Sequence, residues 1–486
     1  MNDAEVQVIP PLGLLIGDSR RAEGSGGEFD HIYPATGKPT VTLPLAGPSD
    51  VVAAVEAART ALPAWRGTTA AQRRDLMLRF ADLLRDHQED IARLSVVENG
   101  MPIAVARDFP IVAADAFTYN AGWADKVGGE VVTTWPAPAL DYAVDEPYGV
   151  AGIIIPWNSP VMALGLTLAP ALATGNTVVL KPSRLASFTA LRFGELLLEA
   201  GFPPGVVNVL PGGPEAGAAL ARHPGVDKLH FMGSSWVARQ VLGAAAENLT
   251  PVSLELGGKS ANIVFADADL QAAAALAATA IVYLSGQACV IGTRVLVEEG
   301  VHDDFIEATA TAADAAVVGD PTLEATTMGP VINDGACDRI LGIVDQARRS
   351  GRVRLVTGGK RLAGDLADGY YISPTIFAEV DNDHELAQRE IFGPVLSILR
   401  FKTEEEAIRI ANDHRYGLAG YVQTTDLRRA HRVAAALEVG SAWINGYPGV
   451  SVSAPFGGTK HSGYGRLGGA AGIREFSRPK NVWQAL

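Results

Sequence analysis

The chain has 486 residues, enough for roughly three structural units and a large core, with 48% apolar and 19% charged residues. That balance excludes a disordered chain, and a charged share below the ~25% of typical soluble domains points to surface buried between lobes or subunits. Lys and Arg number 40 against 54 Asp and Glu, a net charge of −14 without any basic stripe, so the footprint of a nucleic-acid binder is missing and a small-molecule ligand is expected.

In chain order, the opening MNDAEVQVIP lacks the basic segment, apolar run and small-residue cleavage site of a secretory signal. Asp50 is expected to cap a helix bearing Val51, Val55, Ala58 and Leu62 on one face. Leu76, Phe80, Leu83, Leu84, His87, Ile91 and Leu94 read as one longer helix. Gly128–Val144 reads as an extended hairpin, and Val482-Trp483 as a further extended piece; neither has room to bury itself in a lobe, so both are expected at subunit contacts. From Val150 the period changes. Val150–Ile155, Thr177–Lys181, Val206–Leu210, Lys228–Phe231 and Val252–Glu255 are short apolar runs separated by helical segments Val161–Ala173, Phe188–Ala200 and Trp236–Ala246. Strands alternating with helices predict a doubly wound parallel sheet, and a second αβ alternation from Leu256 predicts another α/β lobe. Two stretches, Pro147–Leu180 and Leu270–Thr293, run 34 and 24 residues without a charge. The prolines and asparagines of the first and the polar Ser285-Gly286-Gln287 end of the second argue for buried core, because lipid could not satisfy the backbone groups they free.

Ligands of such sheets gather outside the carboxyl ends of the strands. That edge carries Trp157-Asn158, Lys181 with Ser183-Arg184, Gly212-Gly213, Gly233-Ser234 and Glu255, so a nucleotide site is expected there, with phosphate at Gly233-Ser234 where a helix opens. The literal fingerprint Gly463-Tyr464-Gly465-Arg466-Leu467-Gly468 is a decoy: it neither joins a strand to a helix nor leaves room for the acid about 20 residues on. Two cysteines, Cys289 and Cys337, make no disulfide framework, and no metal-ligand spacing occurs; a reducing compartment and no metal are expected. Cys289 alone reads as a small buried hydrophobe, Glu255 as a strand end and Asn158 as a turn residue. Together they supply a nucleophile, a base and an oxyanion donor.

Those residues sit in segments through which the whole chain resembles the aldehyde dehydrogenase superfamily: Pro156-Trp157-Asn158, Val178–Ser183, Phe231–Ser234, Glu255–Lys259, Gly286–Cys289, Glu390–Pro394 and Pro455–Gly458, with Glu255 and Cys289 34 residues apart. The resemblance implies a Rossmann-like parallel-sheet cofactor domain (1–126 and 147–255), an α/β catalytic domain (256–460) and a small β oligomerisation element (127–146 and 470–486), with the site between the lobes. It implies that Cys289 attacks an aldehyde, that Asn158 and the Cys289 N–H hold the oxyanion, that hydride passes to NAD or NADP, and that Glu255 activates water to hydrolyse the thioester. Lys181 is placed with the catalytic residues and, with Glu390, as a ribose-positioning group. Ile154, Pro156, Trp157, Ser183, Arg184, Gly213, Gly217, Phe231, Gly233, Ser234, Val237, Leu256, Gly257 and Phe392 match positions lining the cofactor.

The sequence departs from the family pattern in three places. Arg184 stands where NAD-preferring relatives usually carry a glutamate, which leans the reading toward NADP being accepted; a surface Arg that leaves NAD in place is the alternative. Thr167 and Leu467 stand where many relatives carry a paired Lys and Glu, a joint loss that strands no buried charge. Ser159, Leu166, Val290 and Phe456 line the expected substrate pocket, which lacks an evident cation and so suits medium-chain aliphatic or aromatic aldehydes. His461 reads as a surface residue. The overall expectation is a cytoplasmic, homodimeric or homotetrameric hydrolytic aldehyde dehydrogenase with no metal, nucleic acid or membrane span. Its rivals are a coenzyme-A-acylating semialdehyde dehydrogenase and a non-catalytic nucleotide-binding scaffold.

Overall fold

The computed structural model describes residues 9–446 and 450–485; most of the N-terminal decapeptide and Leu486 lie outside them. The five expected strands form the centre of an eight-stranded sheet in the order Val207–Val209, Thr177–Lys181, Val150–Ile154, Lys228–Gly233, Val252–Leu256, all parallel. One edge is extended antiparallel by Leu14–Ile16 and Ser19–Arg21, the other by the two-residue strand Gly463–Tyr464. Every residue of Val150–Ile154 and of Thr177–Lys181 is buried, as a sheet covered by helices on both faces requires. Helix Pro160–Ala173, between those two strands in sequence, is buried nearly all round, and this accounts for the charge-free run. Among the described residues no helix is long and apolar enough to cross a membrane.

A second sheet of seven strands runs in the order Arg354–Thr357, Thr375–Ala378, Val395–Phe401, Arg294–Glu298, Ala261–Val264, Ala419–Gln423, Ser441–Ile444, parallel but for the first. The link between the sheets is short. Chain leaving Val252–Leu256 passes through Gly257–Ser260 directly into Ala261–Val264. The expected hairpin is present as Gly129–Val132 and Ala139–Pro147, and Ser477–Ala485 pairs along the whole of the latter to make a three-stranded sheet. Val131 and Trp483 are exposed on it, and Trp135 in the connection between the two strands of the hairpin.

Two local expectations need correction. The first helix spans Pro48–Arg66 and its N-cap is Gly47; Asp50 is the third helical residue, reaching back to accept from the Gly47 N–H at 3.0 Å and from the Ser25 N–H and hydroxyl at 2.7 and 2.6 Å. Proline favours the first helical position, which shifts the start two residues upstream of Asp50. The single long helix is two, Ala70–Asp86 and Gln88–Asn99, parted at His87, whose φ of −100° and ψ of 20° leave the helical region. The break lets Leu94 and Val97 pack on Phe188 and Leu43.

The second of these helices carries Glu98, fully buried, whose carboxylate accepts from the N–H groups of Phe188 and Thr189 at 2.8 and 3.1 Å and from the Thr189 hydroxyl at 2.6 Å. It thus caps helix Phe188–Glu199 from outside. Burial pushes its carboxyl up from 4.5 to about 7 despite those donors. A raised acid is protonated in the folded state over a window where the unfolded chain has already released the proton, so stability falls as pH rises from about 4.5 to 7. Glu98→Gln, which keeps an acceptor without the charge, is expected to flatten the fall of Tm with pH across that window, removing a contribution on the order of 3 kcal/mol. A Tm–pH profile unchanged from wild type would show that the carboxyl titrates normally.

Candidate active site

The two main sheets face each other across a cavity of about 570 Å³ whose wall comes from both. The first lobe contributes Pro156, Trp157, Asn158 and Ser159 from the loop after Val150–Ile154, Gly233 and Ser234 after Lys228–Gly233, and Glu255 with Leu256 and Gly257. From the second lobe come Cys289, Val290, Glu390, Phe392 and Phe456.

Cys289 reaches the cavity through an abrupt chain reversal. Helix Leu270–Val282 ends in a turn, Tyr283–Gly286, where Leu284 and Ser285 take left-handed φ of 50° and 55°. Such strain persists only where packing holds it, and here the Ser285 hydroxyl donates to Gly329 O at 2.7 Å while Gln287 Oε1 accepts from the Ile332 N–H at 2.9 Å. Asn158 Nδ2 donates to Gln287 O at 2.9 Å, so one lobe's loop is tied to the residue two before the thiol. An amide nitrogen carries two hydrogens, which leaves one for a ligand. Burial, with the charges of Glu255 and Glu390, pushes the half-buried Cys289 thiol up to about 12. The resting group is therefore the thiol and not the thiolate.

Glu255 is 7% exposed, and its Oε2 has no hydrogen-bond partner among the described residues. Burial raises its carboxyl well above the usual range, against the opposing charge of Arg466 and with the added charge of Glu475. The decoy motif lies at its back: Glu255 pairs with Gly463 in the sheet, and Arg466 donates to Gly458 O and Gly465 O at 2.9 and 2.7 Å. A Cβ on Gly457 would stand 2.7 Å from Glu255 Oε1, so only glycine there leaves the carboxylate its place. Glu390 is held by the Gly258 N–H at 3.0 Å, and burial pushes it up to about 7. Trp157 and Phe392 meet edge to face at 5.5 Å.

Eight of the sequence-predicted residues lie outside this cavity. Lys181, expected among the catalytic group, ends a strand separated from that of Glu255 by two others, about 14 Å at the usual spacing. Its buried Nζ donates to Gly212 O at 2.8 Å, and burial with the Arg184 charge pushes it down to about 8. Gly213, Gly217, Ser183 and Arg184 gather round it: Ser183 pairs with Gly212, and the exposed Arg184 guanidinium lies 5.0 Å over the Phe29 ring. Gly213 and Ser234 are N-caps of neighbouring helices, Pro214–Arg222 and Ser235–Ala246, with the Ser234 hydroxyl accepting from the Val237 N–H at 3.3 Å. Ile154 and Phe231 are buried in the apolar cluster beneath. Two helix N-termini over bare glycine on one sheet edge, continuous with the cavity at Gly233 and Ser234, fit a dinucleotide diphosphate.

Ser159, Leu166, Val290 and Phe456 line the cavity as expected. Sequence reasoning missed Phe109, Val112, Met162, Tyr283 and Val450, and it missed two charges, Asp108 and Arg339. Arg339 corrects the expectation of a cation-free wall; it stands on helix Asp334–Ser350, remote in sequence from every motif, and its Nη1 is tied to Ile391 O at 2.7 Å. Asp108 and Phe109 open helix Asp108–Ala121, whose apolar spacing alone reads as core. Thr167 and Leu467 are fully buried, Thr167 Oγ1 donating to Ala163 O at 2.7 Å, so apolar packing fills the place of a charged pair.

A nucleotide-type sheet edge facing a thiol-bearing second lobe defines a protein that brings a dinucleotide to a cysteine. Comparison gives the class its family. The aldehyde dehydrogenase family profile matches residues 21–482, and the chain belongs to that family. It is 42% identical over 476 residues to an aldehyde dehydrogenase of Alternaria alternata, covering 97% of this chain and 95% of that one. It is 40% identical over 475 residues to human retinal dehydrogenase 2, covering 96% and 91%. Among solved structures, betaine aldehyde dehydrogenase from Staphylococcus aureus in complex with NAD+ superposes with a TM-score of 0.97 at 34% identity, covering 99% of this chain and 97% of that one. A P. syringae indole-3-acetaldehyde dehydrogenase in complex with NAD+ gives 0.96 at 41%, covering 100% and 99%. The chain is an NAD(P)-dependent aldehyde dehydrogenase.

Proposed function

We propose that this enzyme oxidises medium-chain aliphatic or aromatic aldehydes to carboxylic acids by covalent catalysis at Cys289. The observation that supports it is the convergence of Cys289, Asn158 and Glu255 on one largely apolar cavity between the lobes. Cys289 adds to the aldehyde carbon as its proton leaves toward a base; Glu255, with an unpartnered buried oxygen, is the base at hand. The free hydrogen of Asn158 Nδ2 and the Cys289 N–H hold the oxyanion, where one such donor lowers the barrier by about 3–4 kcal/mol. A bound nicotinamide would supply the hydride acceptor; Glu390 and Lys181 would hold its ribose hydroxyls, and the helix openings at Gly213 and Ser234 its diphosphate. Once Glu255 has released the thiol proton to solvent, its carboxylate takes a proton from water, which adds to the thioester; the C–S bond breaks, the acid leaves, and the proton on Glu255 returns to the Cys289 sulfur. Acyl transfer to coenzyme A requires no such base, so the buried Glu255 favours hydrolysis. Two free cysteines suit a reducing, cytoplasmic setting, and the exposed apolar side chains of the three-stranded sheet suit a homo-oligomer.

Arg184 leans the cofactor choice toward NADP being accepted. Its guanidinium is exposed, stacked on Phe29, and its Nη1 lies 3.9 Å from where a Gly213 side chain would begin, with Glu215 Oε2 at 3.0 Å from the same point; a guanidinium so placed at the Gly213 turn would offer a partner to a 2′-phosphate. Initial rates with octanal and benzaldehyde, without coenzyme A, test both readings: turnover with NADP+ is expected, and Arg184→Glu is expected to lower kcat/KM for NADP+ by about tenfold or more relative to NAD+. A variant with an unchanged cofactor ratio would leave Arg184 a plain surface residue. Turnover that requires coenzyme A, or succinic semialdehyde preferred over a neutral aldehyde of equal length, would overturn the substrate reading.

A further inference from the structure

The short link between the two sheets, Gly257–Ser260, ends in a cluster of hydrogen-bond donors that the reaction leaves unused. Lys259, Ser260 and Arg294 are 2%, 4% and 1% exposed. Lys259 Nζ, Ser260 Oγ and Arg294 Nε each have no hydrogen-bond partner among the described residues. All three residues line one small cavity, with about 10 Å³ of freedom for the centre of a water-sized particle. Arg294 is otherwise well held: Nη1 donates to Asn382 Oδ1 and Ile410 O at 2.8 and 3.0 Å, and Nη2 to Ala411 O at 2.8 Å. Of its three nitrogens Nε is the one without a partner among the described residues. Neither cation makes an ion pair among the described residues; the opposing charges that act on them, Glu390 on Lys259 and Asp413 on Arg294, stand beyond ion-pair distance. Two buried like charges side by side, each with a spare donor, are costly unless something negative lies between them.

From this geometry we propose that the cavity is a binding site for a single halide-sized anion, chloride in solution, held by Lys259 Nζ, Arg294 Nε and the Ser260 hydroxyl. The charge of the donor set points to an anion over a water molecule: a water could accept from the ammonium and the guanidinium N–H and donate to the hydroxyl, but it offsets neither buried positive charge, whereas an anion offsets both. A bare halide accepts from all three. Size selects further: space for one water-sized particle excludes phosphate, sulfate and carboxylates, and the long, flexible Lys259 side chain must give slightly to admit a halide, which is larger than water. Burial and the neighbouring Arg294 charge push Lys259 down to about 7, and an anion in place would restore its ammonium form. Through Lys259 the ion would pin the link that carries the Gly258 N–H to Glu390 and joins one sheet to the other.

Two measurements on the full-length protein test this. In crystals grown or soaked in sodium bromide, an anomalous peak is expected within hydrogen-bond reach of Lys259 Nζ, Ser260 Oγ and Arg294 Nε. In thermal unfolding at constant ionic strength, replacing sodium gluconate by sodium chloride is expected to raise Tm by roughly 1–3 °C per tenfold rise in chloride once the site is filling. Lys259→Met is expected to abolish that dependence, and the milder Ser260→Ala to shift it to higher chloride; Ser260→Ala serves if Lys259→Met does not fold. Ordered density without anomalous signal, equal Tm in the two salts, or a chloride response unaltered in the variants would overturn the proposal.

Discussion

Cys289→Ser is expected to bind NAD+ and aldehyde but to lose at least about a thousandfold in NADH formation, the scale on which removal of a covalent nucleophile acts. The reason lies in the surroundings of the thiol. Burial and two nearby carboxylates hold it near 12, so the site does not store a thiolate; it creates one as the aldehyde is attacked. A serine hydroxyl, far less acidic, would need a stronger base than Glu255. For wild type the rate of the first turnover is expected to rise with pH, since both the thiol and Glu255 must lose protons and both are shifted upward. Stopped-flow NADH formation across pH 6–10 checks this. A pH-independent burst in wild type, or turnover surviving in Cys289→Ser, would place the nucleophile elsewhere.

Glu255→Gln has the second large effect, and its form separates two roles. If Glu255 serves hydrolysis, the variant is expected to give one burst of NADH per site and then stall, with steady-state turnover down about 10²–10⁴-fold and an acyl group retained on Cys289 that intact-mass measurement would find. If Glu255 also takes the thiol proton, the burst slows too. The isostere leaves the cavity shape unchanged, so loss of folding does not confuse the result. Sign follows from burial: a carboxyl raised above its ordinary range is protonated, and idle as a base, until the pH passes that raised value, so wild-type steady-state rate falls on the acid side. Thr167 and Leu467 sharpen the expectation. With core packing where a charged pair could relay protons, removal of Glu255 leaves hydrolysis only water. Thr167→Lys combined with Leu467→Glu is expected to change the steady-state rate; an unaltered rate would show that proton transfer does not limit it.

Much of this site was legible in the chain because its parts are local. The strands Val150–Ile154, Thr177–Lys181 and Val252–Leu256 announce themselves as short apolar runs, and a parallel sheet puts whatever follows them on one edge. Asn158, Gly233-Ser234 and Glu255 follow from that rule alone, with no resemblance needed. Helix boundaries were less legible. Pro48 sets a start that Asp50 suggested two residues too late, and His87 breaks a helix whose periodicity runs on without interruption. Periodicity records which face is apolar, and both halves of a broken helix still need an apolar face.

By itself, then, the sequence determined the parallel-sheet architecture, the edge where a nucleotide belongs and the residues able to carry the chemistry. Those are properties of short segments and of their order. Only tertiary structure decided that two strands separate that of Lys181 from that of Glu255, that Arg339 from a remote helix enters the cavity wall, and that Glu255 has a bare buried oxygen. It also decided that the Cys289 thiol rests protonated and that Lys259 and Arg294 share one interior cavity. Charge state and company depend on what surrounds a group in space, through desolvation and through neighbours hundreds of residues away, and no local pattern encodes either.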